Sequence, residues 1–235
     1  MTTILTLNIR HGGGKRVDAI CRFVESVAPD VALLTEYRRS GIGARLREAL
    51  ATSGLVHQLA GEAGPRQNGV LLVSRGPLDA CPLPARLAPF ADRVVLARLP
   101  ELTVLGVYLP PSHAKRPLFQ ALVDASPDLL AGPAVLLGDF NTGRHLLDEP
   151  GATFVTADLF VALEGRGWVD AWRHLHPQGR DSSWFSSKQN GFRIDHVFLS
   201  SAVLPRLRAA AYRHEPRHEG ATDHAALVVQ LAPAG

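Results

Sequence analysis

The chain has 235 residues, 46% of them hydrophobic, enough for a sizeable core and most simply read as one domain spanning residues 1–235. A net charge of +3 with a pI near 9.2 permits a polyanionic partner without demanding one. Repeats, charge blocks and low-complexity stretches are absent.

Strand and helix patterns alternate from the start. Thr3–Ile9 reads as a strand, and Val17–Ala28 as a helix with Val17, Ile20, Val24 and Val27 at helical spacing. Pro29-Asp30 punctuates, Val31–Thr35 is a buried strand, and Ile42–Ala51 is a second helix. Val70–Ser74 is a strand, followed by an antiparallel pair, Val94–Leu99 and Thr103–Leu109, around Pro100-Glu101. Arg116–Ala125 is helical and Ala134–Phe140 is a strand. Helices are expected over Ala157–Glu164 and Val169–Leu175. Strands over Ser182–Ser187, Ile194–Leu199, Leu207–Arg213 and Ala225–Leu231 complete the chain. By itself this alternation specifies an α/β or α+β fold.

Two cysteines, Cys21 and Cys81, without a C-x-x-C spacing supply no zinc or dithiol motif, and Cys21 falls in a helical pattern as a small buried hydrophobe. Strand-like residues begin at Thr3 with no basic-then-apolar leader, and no apolar run approaches membrane-spanning length. The expectation is a cytoplasmic monomer without a transmembrane segment. Basic charge is nearly all arginine, since lysine occurs only at 15, 115 and 188. Arginine forks suit phosphate contact, but the abundance of Ala, Gly and Pro favours compositional bias as the source of most of them.

One feature outweighs the composition. The apolar run Ala134-Val135-Leu136-Leu137 ends in Gly138-Asp139-Phe140-Asn141, so a rigid strand delivers an acid and an amide to one place. Buried Asp and Asn are costly without partners or a metal. Four more fragments set polar residues at the edge of hydrophobic segments: Leu7-Asn8-Ile9-Arg10, Leu33-Leu34-Thr35-Glu36, Arg193-Ile194-Asp195-His196 and Thr222-Asp223-His224. Carboxylates and amides in this number suit a hard cation held by oxygen, Mg²⁺ or Mn²⁺, better than zinc. The stretch His11-Gly12-Gly13-Gly14 lacks the spacing and ending of a nucleotide loop.

Taken in order, these five fragments resemble the endonuclease/exonuclease/phosphatase superfamily. That group includes exonuclease III, abasic-site endonucleases, deoxyribonuclease I, neutral sphingomyelinases and inositol polyphosphate 5-phosphatases. The resemblance runs over residues 4–231. It implies a four-layer α/β sandwich, two packed mixed β-sheets flanked by helices. It also implies a divalent-metal-dependent phosphodiesterase cleaving by activated water. Glu36 matches the metal-binding glutamate, Asn8 the asparagine beside the metal, and Asp223 a residue on the metal side. Asp139 matches the aspartate that activates water, and Asn141 the donor to the phosphoryl oxygen. His224 matches the histidine paired with an aspartate, here Asp195. Tyr108, ending the run Val104-Leu105-Gly106-Val107, matches a phosphate-contacting tyrosine.

Around this set, His113 and Lys115 are expected phosphate contacts in a basic segment, and Trp184 and Phe192 flank the Asp195 strand as stacking surfaces for a base or abasic sugar. His196 follows Asp195 directly, so strand alternation turns it to the opposite face, in a structural role. Two departures stand out. Arg10 occupies the place where abasic-site enzymes carry an acid, making it a candidate phosphate contact, and Pro111 replaces an asparagine. The loops are also short, leaving little room for elements that insert into a minor groove. The expected partner is DNA, acted on by a nuclease. A small-molecule or lipid phosphate ester, as in the sphingomyelinase and inositol-phosphatase branches, is the alternative substrate.

Overall fold

Two βαβ units govern the arrangement of the chain. A computed structural model describes residues 1–234. The first half contains β1 (Thr2–Asn8), α1 (Val17–Val27), β2 (Val31–Tyr37), α2 (Gly41–Thr52), β3 (His57–Ala60) and β4 (Gly69–Ser74). The middle contains β5 (Asp79–Ala80), β6 (Val94–Arg98), β7 (Thr103–Tyr108), α3 (Arg116–Leu129), β8 (Ala134–Asp139) and α4 (Ala157–Gly165). Then follow β9 (Val169–Asp170), α5 (Ala171–Leu175), β10 (Trp184–Phe185), β11 (Gly191–Phe192), β12 (Asp195–Leu199), β13 (Leu207–Arg213), α6 (Glu215–His218) and β14 (Ala226–Leu231).

One six-stranded sheet runs β13-β14-β1-β2-β4-β3 and the other β5-β6-β7-β8-β12-β9. Each is mixed. β1 and β2 are parallel through the α1 crossover, β7 and β8 are parallel through α3, and the remaining pairs are antiparallel. Central strands are covered on both faces, which is why they read as unbroken apolar runs. Between the sheets lie Ile4, Leu33, Leu72, Val104, Val135, Leu137, Val197 and Val229. Their alternate neighbours point outward. Leu5, Leu7, Ala32 and Leu34 pack under α1 and α2. Leu105, Leu136 and Phe198 pack under α3 and α4. The result is the four-layer α/β sandwich.

This topology gathers chemistry at one edge. The parallel strands end at Asn8, at Tyr37 directly after Glu36, at Tyr108 and at Asp139, and such carboxyl ends are where open α/β sheets present their sites. β12 and β14 run antiparallel to β8 and β1, so their beginnings, Asp195 and the preceding Asp223-His224, arrive at the same edge.

Several elements differ from the sequence expectation. The expected helix Val169–Leu175 splits, because Asp170 leaves the helical region and its side chain caps α5 by accepting from Arg173 N. The expected strand Ser182–Ser187 contracts to Trp184–Phe185, a hairpin with Gly191–Phe192. Helix α3 continues through Pro127 to Leu129, held by buried Leu122, Val123 and Leu129, although a proline normally ends a helix. Ser126 sits in that last turn, donating to Leu122 O at 2.9 Å and accepting from Trp168 Nε1 at 3.0 Å. Both cysteines are free, Cys21 being buried on α1. Among the described residues, no helix is long and apolar enough to cross a membrane.

Candidate active site

Asp139 lies at the centre of the cluster. It is 1% exposed, and its carboxylate is held from three directions. Oδ1 accepts from Asn141 N at 2.8 Å, and Oδ2 accepts from Asn8 Nδ2 at 2.9 Å and Asn141 Nδ2 at 3.2 Å. Burial, and then the charge of Asp195, push its pKa up to about 7 against the pull of His224 and the two asparagines. Gly138 makes this approach feasible. Its φ is +145°, and a Cβ there would meet Val107 O at 1.9 Å.

Asn8 bridges the two sheets chemically. Its amide donates to Asp139 and, at 3.3 Å, to Glu36 Oε1, while its Oδ1 accepts from Arg10 N at 2.8 Å. Glu36 is off the regular ladder. The β2–β4 register slips between Thr35 and Tyr37, and Glu36 takes a left-handed φ of +59°. Such a bulge re-aims a side chain. Here it turns the carboxylate toward Tyr108 OH, 3.3 Å from Oε1, and His11 N, 2.7 Å from Oε2. Tyr108 is buried, and burial together with the charges of Glu36 and Asp139 raises its hydroxyl pKa well above the ordinary value, so it acts as a neutral donor. Arg93 stacks 5.5 Å from its ring centroid.

Asp195 and His224 form a buried pair, Oδ2 to Nδ1 at 2.8 Å. Burial alone would lower the His224 pKa, but Asp195, Asp139 and Asp223 together raise it to about 9. The raised value favours the imidazolium at neutral pH, the form in which both ring nitrogens are donors. Asp195 is anchored through its backbone by Ser183 Oγ at 3.1 Å and Tyr212 OH at 2.6 Å. Its Oδ1 is buried and unpartnered.

Asp139, Asp195 and His224 bring ligand atoms within 4.8 Å of one another. Glu36 and Asp223, the carboxylates expected to bind metal, are not part of that trio. Glu36 joins it through Asn8, and Asp223 is partly exposed, with Arg10 Nε 3.6 Å away. The donors at this edge are almost all oxygens, with one orphaned carboxylate oxygen among them. This donor set fits a hard divalent cation.

The other expected contacts are distributed as follows. Arg10 is half-exposed beside Asp223, at a left-handed φ of +51°. His113 is exposed in the short helical turn Ser112–Lys115. Lys115 is 2% exposed and donates to Asn141 O at 2.6 Å. Trp184 and Phe192 lie half-buried with ring centroids 5.8 Å apart, and Trp184 is a bridge partner of His224. His196 turns away from the cluster to Asp170 and Thr142 O.

Sequence reasoning missed several contributors. His11 reaches Glu36 with both N–H and ring, and its position directly before three glycines was the only available signal. Phe154 extends the aromatic surface, 5.8 Å from Phe192. Beneath the Asp195 strand runs a buried ionic network. Asp148 accepts from Arg173 and Arg193, each at 2.6 Å, and Asp170 holds Arg193 at 2.8 Å and His196 at 3.0 Å. Trp172 lies between the two guanidinium groups, 5.0 and 5.1 Å from its ring centroid.

Comparison with known proteins points the same way as the geometry. The sequence profile of the Endonuclease/Exonuclease/phosphatase family matches residues 5–224. Recombination repair protein 1 of Drosophila melanogaster is 26% identical over 164 residues, 58% of this chain and 23% of that protein. DNA repair nuclease APEX1 of Danio rerio is 28% identical over 166 residues, 60% of this chain and 52% of its own length. The chain thus spans about half or less of these relatives. Among solved structures, the 3′-5′ exonuclease NExo of Neisseria meningitidis superposes with a TM-score of 0.87 at 25% identity, over 99% of this chain and 100% of the other. An AP endonuclease of Archaeoglobus fulgidus superposes at 0.86 with 18% identity, over 98% and 99%, a likeness of fold. With a matching profile over nearly the whole chain and at least one polar residue from each of the five fragments at one edge of the sheets, this protein belongs to the endonuclease/exonuclease/phosphatase family.

Proposed function

We propose that the chain is a divalent-metal-dependent phosphodiesterase that cleaves DNA, and that residues 1–235 form its catalytic unit. The observation that carries this reading is the setting of Asp139. It is a buried carboxylate oriented by Asn8 and Asn141, beside a histidine held cationic by Asp195. Glu36, with Asn8 and Asp223, would hold Mg²⁺ or Mn²⁺. The cation would supply charge neutralisation at the phosphate.

In this reading Asp139 takes a proton from water, which its raised pKa suits at neutral pH. The hydroxide attacks phosphorus in line, and the bond to the 3′ oxygen breaks, the departing oxygen taking a proton from solvent to leave a 3′-hydroxyl and a 5′-phosphate. Asn141, the His224 imidazolium and the neutral Tyr108 hydroxyl donate where charge builds on the phosphoryl oxygens. Arg10 and His113 would contact flanking phosphates, and Trp184 and Phe192 would stack on a base or sugar. DNA as substrate is supported by the names of the relatives, a recombination repair protein, a DNA repair nuclease and a 3′-5′ exonuclease.

The test is cleavage of end-labelled duplex DNA, intact and with one abasic site, in Mg²⁺, Mn²⁺ and chelator, with Asp139→Asn as the blank. Metal-dependent cutting that the variant lacks supports the reading, and the product ladder separates abasic, endo and exo action. Activity confined to small or lipid phosphate esters would overturn DNA as the substrate.

A further inference from the structure

Among the described residues, Lys115 is a buried cation with no anion partner. It is 2% exposed, and among the described residues no carboxylate lies in salt-bridge range. Lysine is almost never this buried unless paired, because removing an ammonium from water is costly. Burial pulls its pKa down to about 8, with the charge of Asp139 opposing. The ammonium has one hydrogen bond, 2.6 Å to the main-chain carbonyl of Asn141. A side chain held at such a cost against one carbonyl calls for a reason.

Asn141 supplies it. Its φ of +50° is left-handed, a conformation a non-glycine residue keeps only when its surroundings enforce it. Three bonds do so. The amide N–H goes to Asp139 Oδ1 at 2.8 Å, one side-chain amide proton goes to Leu109 O at 2.8 Å, and the carbonyl accepts from Lys115. The second amide proton reaches Asp139 Oδ2 only at 3.2 Å, which leaves it able to turn to an incoming oxygen. Lys115 is itself fixed, closing the turn Ser112–Lys115 just before α3, whose first residue, Arg116, is tied to Asp158 at 3.0 Å.

We propose that Lys115 is a positioning residue, which clamps the Asn141 carbonyl so that the Asn141 amide stays aimed at the reacting phosphate, and that it does not touch substrate. This rests on the proposed function above and goes beyond it by assigning a buried residue to the aim of a donor.

The experiment is a double-mutant cycle of Lys115→Met and Asn141→Ala on the DNA substrate. Methionine keeps the length and loses the donor. Lys115→Met is expected to lower kcat between about 10- and 100-fold, the usual range for removing an orienting partner, with KM within about twofold. In the Asn141→Ala background the same change is expected to cost less than about twofold. Lys115→Gln, which retains an N–H donor, is expected to recover part of the loss and covers the case in which the methionine variant fails to fold. An unchanged kcat, a raised KM with normal kcat, or an equal loss in the Asn141→Ala background would overturn the proposal. A second readout needs no activity. In two-dimensional NMR, Lys115→Met is expected to move the Asn141 backbone and side-chain amide signals while distant signals hold, and unmoved Asn141 signals would sink the clamp. A wild type that cuts no DNA but shows those shifts would remove the nuclease reading alone.

Discussion

Asp139 and Asp195 are register partners across the β8–β12 pair, two buried carboxylates on adjacent strands with His224 close to both. Like charges at such range cannot both ionise freely, and here the load is divided. Asp195 spends its charge on His224, while Asp139 is pushed toward neutrality. Removing the Asp195 charge therefore takes away the group that orients His224. Asp195→Asn is expected to fold and to lose about 10²-fold or more in kcat at neutral pH, because an asparagine cannot hold the ring in its cationic, correctly turned form. Steady-state kinetics beside a melting curve checks this. A variant of normal Tm and normal kcat would contradict the role.

Glu36 is the carboxylate that its bulge turns toward Asn8 and Tyr108. If it is the principal metal ligand, Glu36→Gln raises the metal concentration for half-maximal activity about 10- to 100-fold, and saturating Mg²⁺ or Mn²⁺ restores part of the rate. Titration of activity against metal, with calorimetry of Mn²⁺ binding, reads the shift. An unchanged metal requirement would move the ligand role to the Asp139–Asp195 side.

Stability at low pH follows from the network under β12. Burial alone would raise the Asp148 and Asp170 pKa values, but Arg193 and the neighbouring donors outweigh it and hold both below the ordinary carboxylate value. A carboxyl whose folded pKa is depressed contributes stability that is complete above its unfolded pKa, about 4. That stability is lost as pH falls from there toward the folded pKa. The contribution of this pair to the denaturant midpoint is thus expected to be complete and pH-independent above about pH 4 and to be lost steeply below it. Asp148→Ala leaves Arg193 and Arg173 short of their shared anion and is expected to cost about 3–5 kcal/mol. A midpoint that holds at pH 3 would show that the network is not a main support.

Much of the site was legible because its residues sit where an apolar run stops. Asn8, Glu36, Asp139 and Asp195 each interrupt or follow a hydrophobic stretch, and a strand end is a local property that periodicity exposes. What local pattern cannot carry is long-range pairing. The partnership of Asp148 with Arg193 spans 45 residues, and nothing near either one announces it. The bulge at Glu36 depends on the facing β4 strand. The burial of Lys115, which lies in a basic, proline-rich segment that reads as exposed, depends on the distant Asn141 carbonyl. Short strands such as Asp79–Ala80 exist only through their partners. Likewise β3 begins with the polar pair His57-Gln58, which carries no strand signal.

Gly138 offers the sharpest test of how backbone and chemistry are joined. Its φ of +145° is one that side chains rarely adopt, and an added methyl would meet Val107 O, a main-chain atom in the adjacent parallel strand that cannot give way cheaply. Gly138→Ala must therefore push β8 away from β7 or rotate the peptide that leads into Asp139. The first route breaks ladder bonds beside a fully buried strand, and the second misdirects the carboxylate. A loss of about 2–4 kcal/mol is expected, the size of other backbone substitutions at incompatible positions. Activity should fall further than the remaining folded fraction explains, because a displacement of even about 1 Å at a reacting group costs on the order of 10²-fold. Chemical denaturation with active-site titration separates the two effects. A variant of normal stability and normal kcat would mean that the close approach at Gly138 is not what sets Asp139 in place.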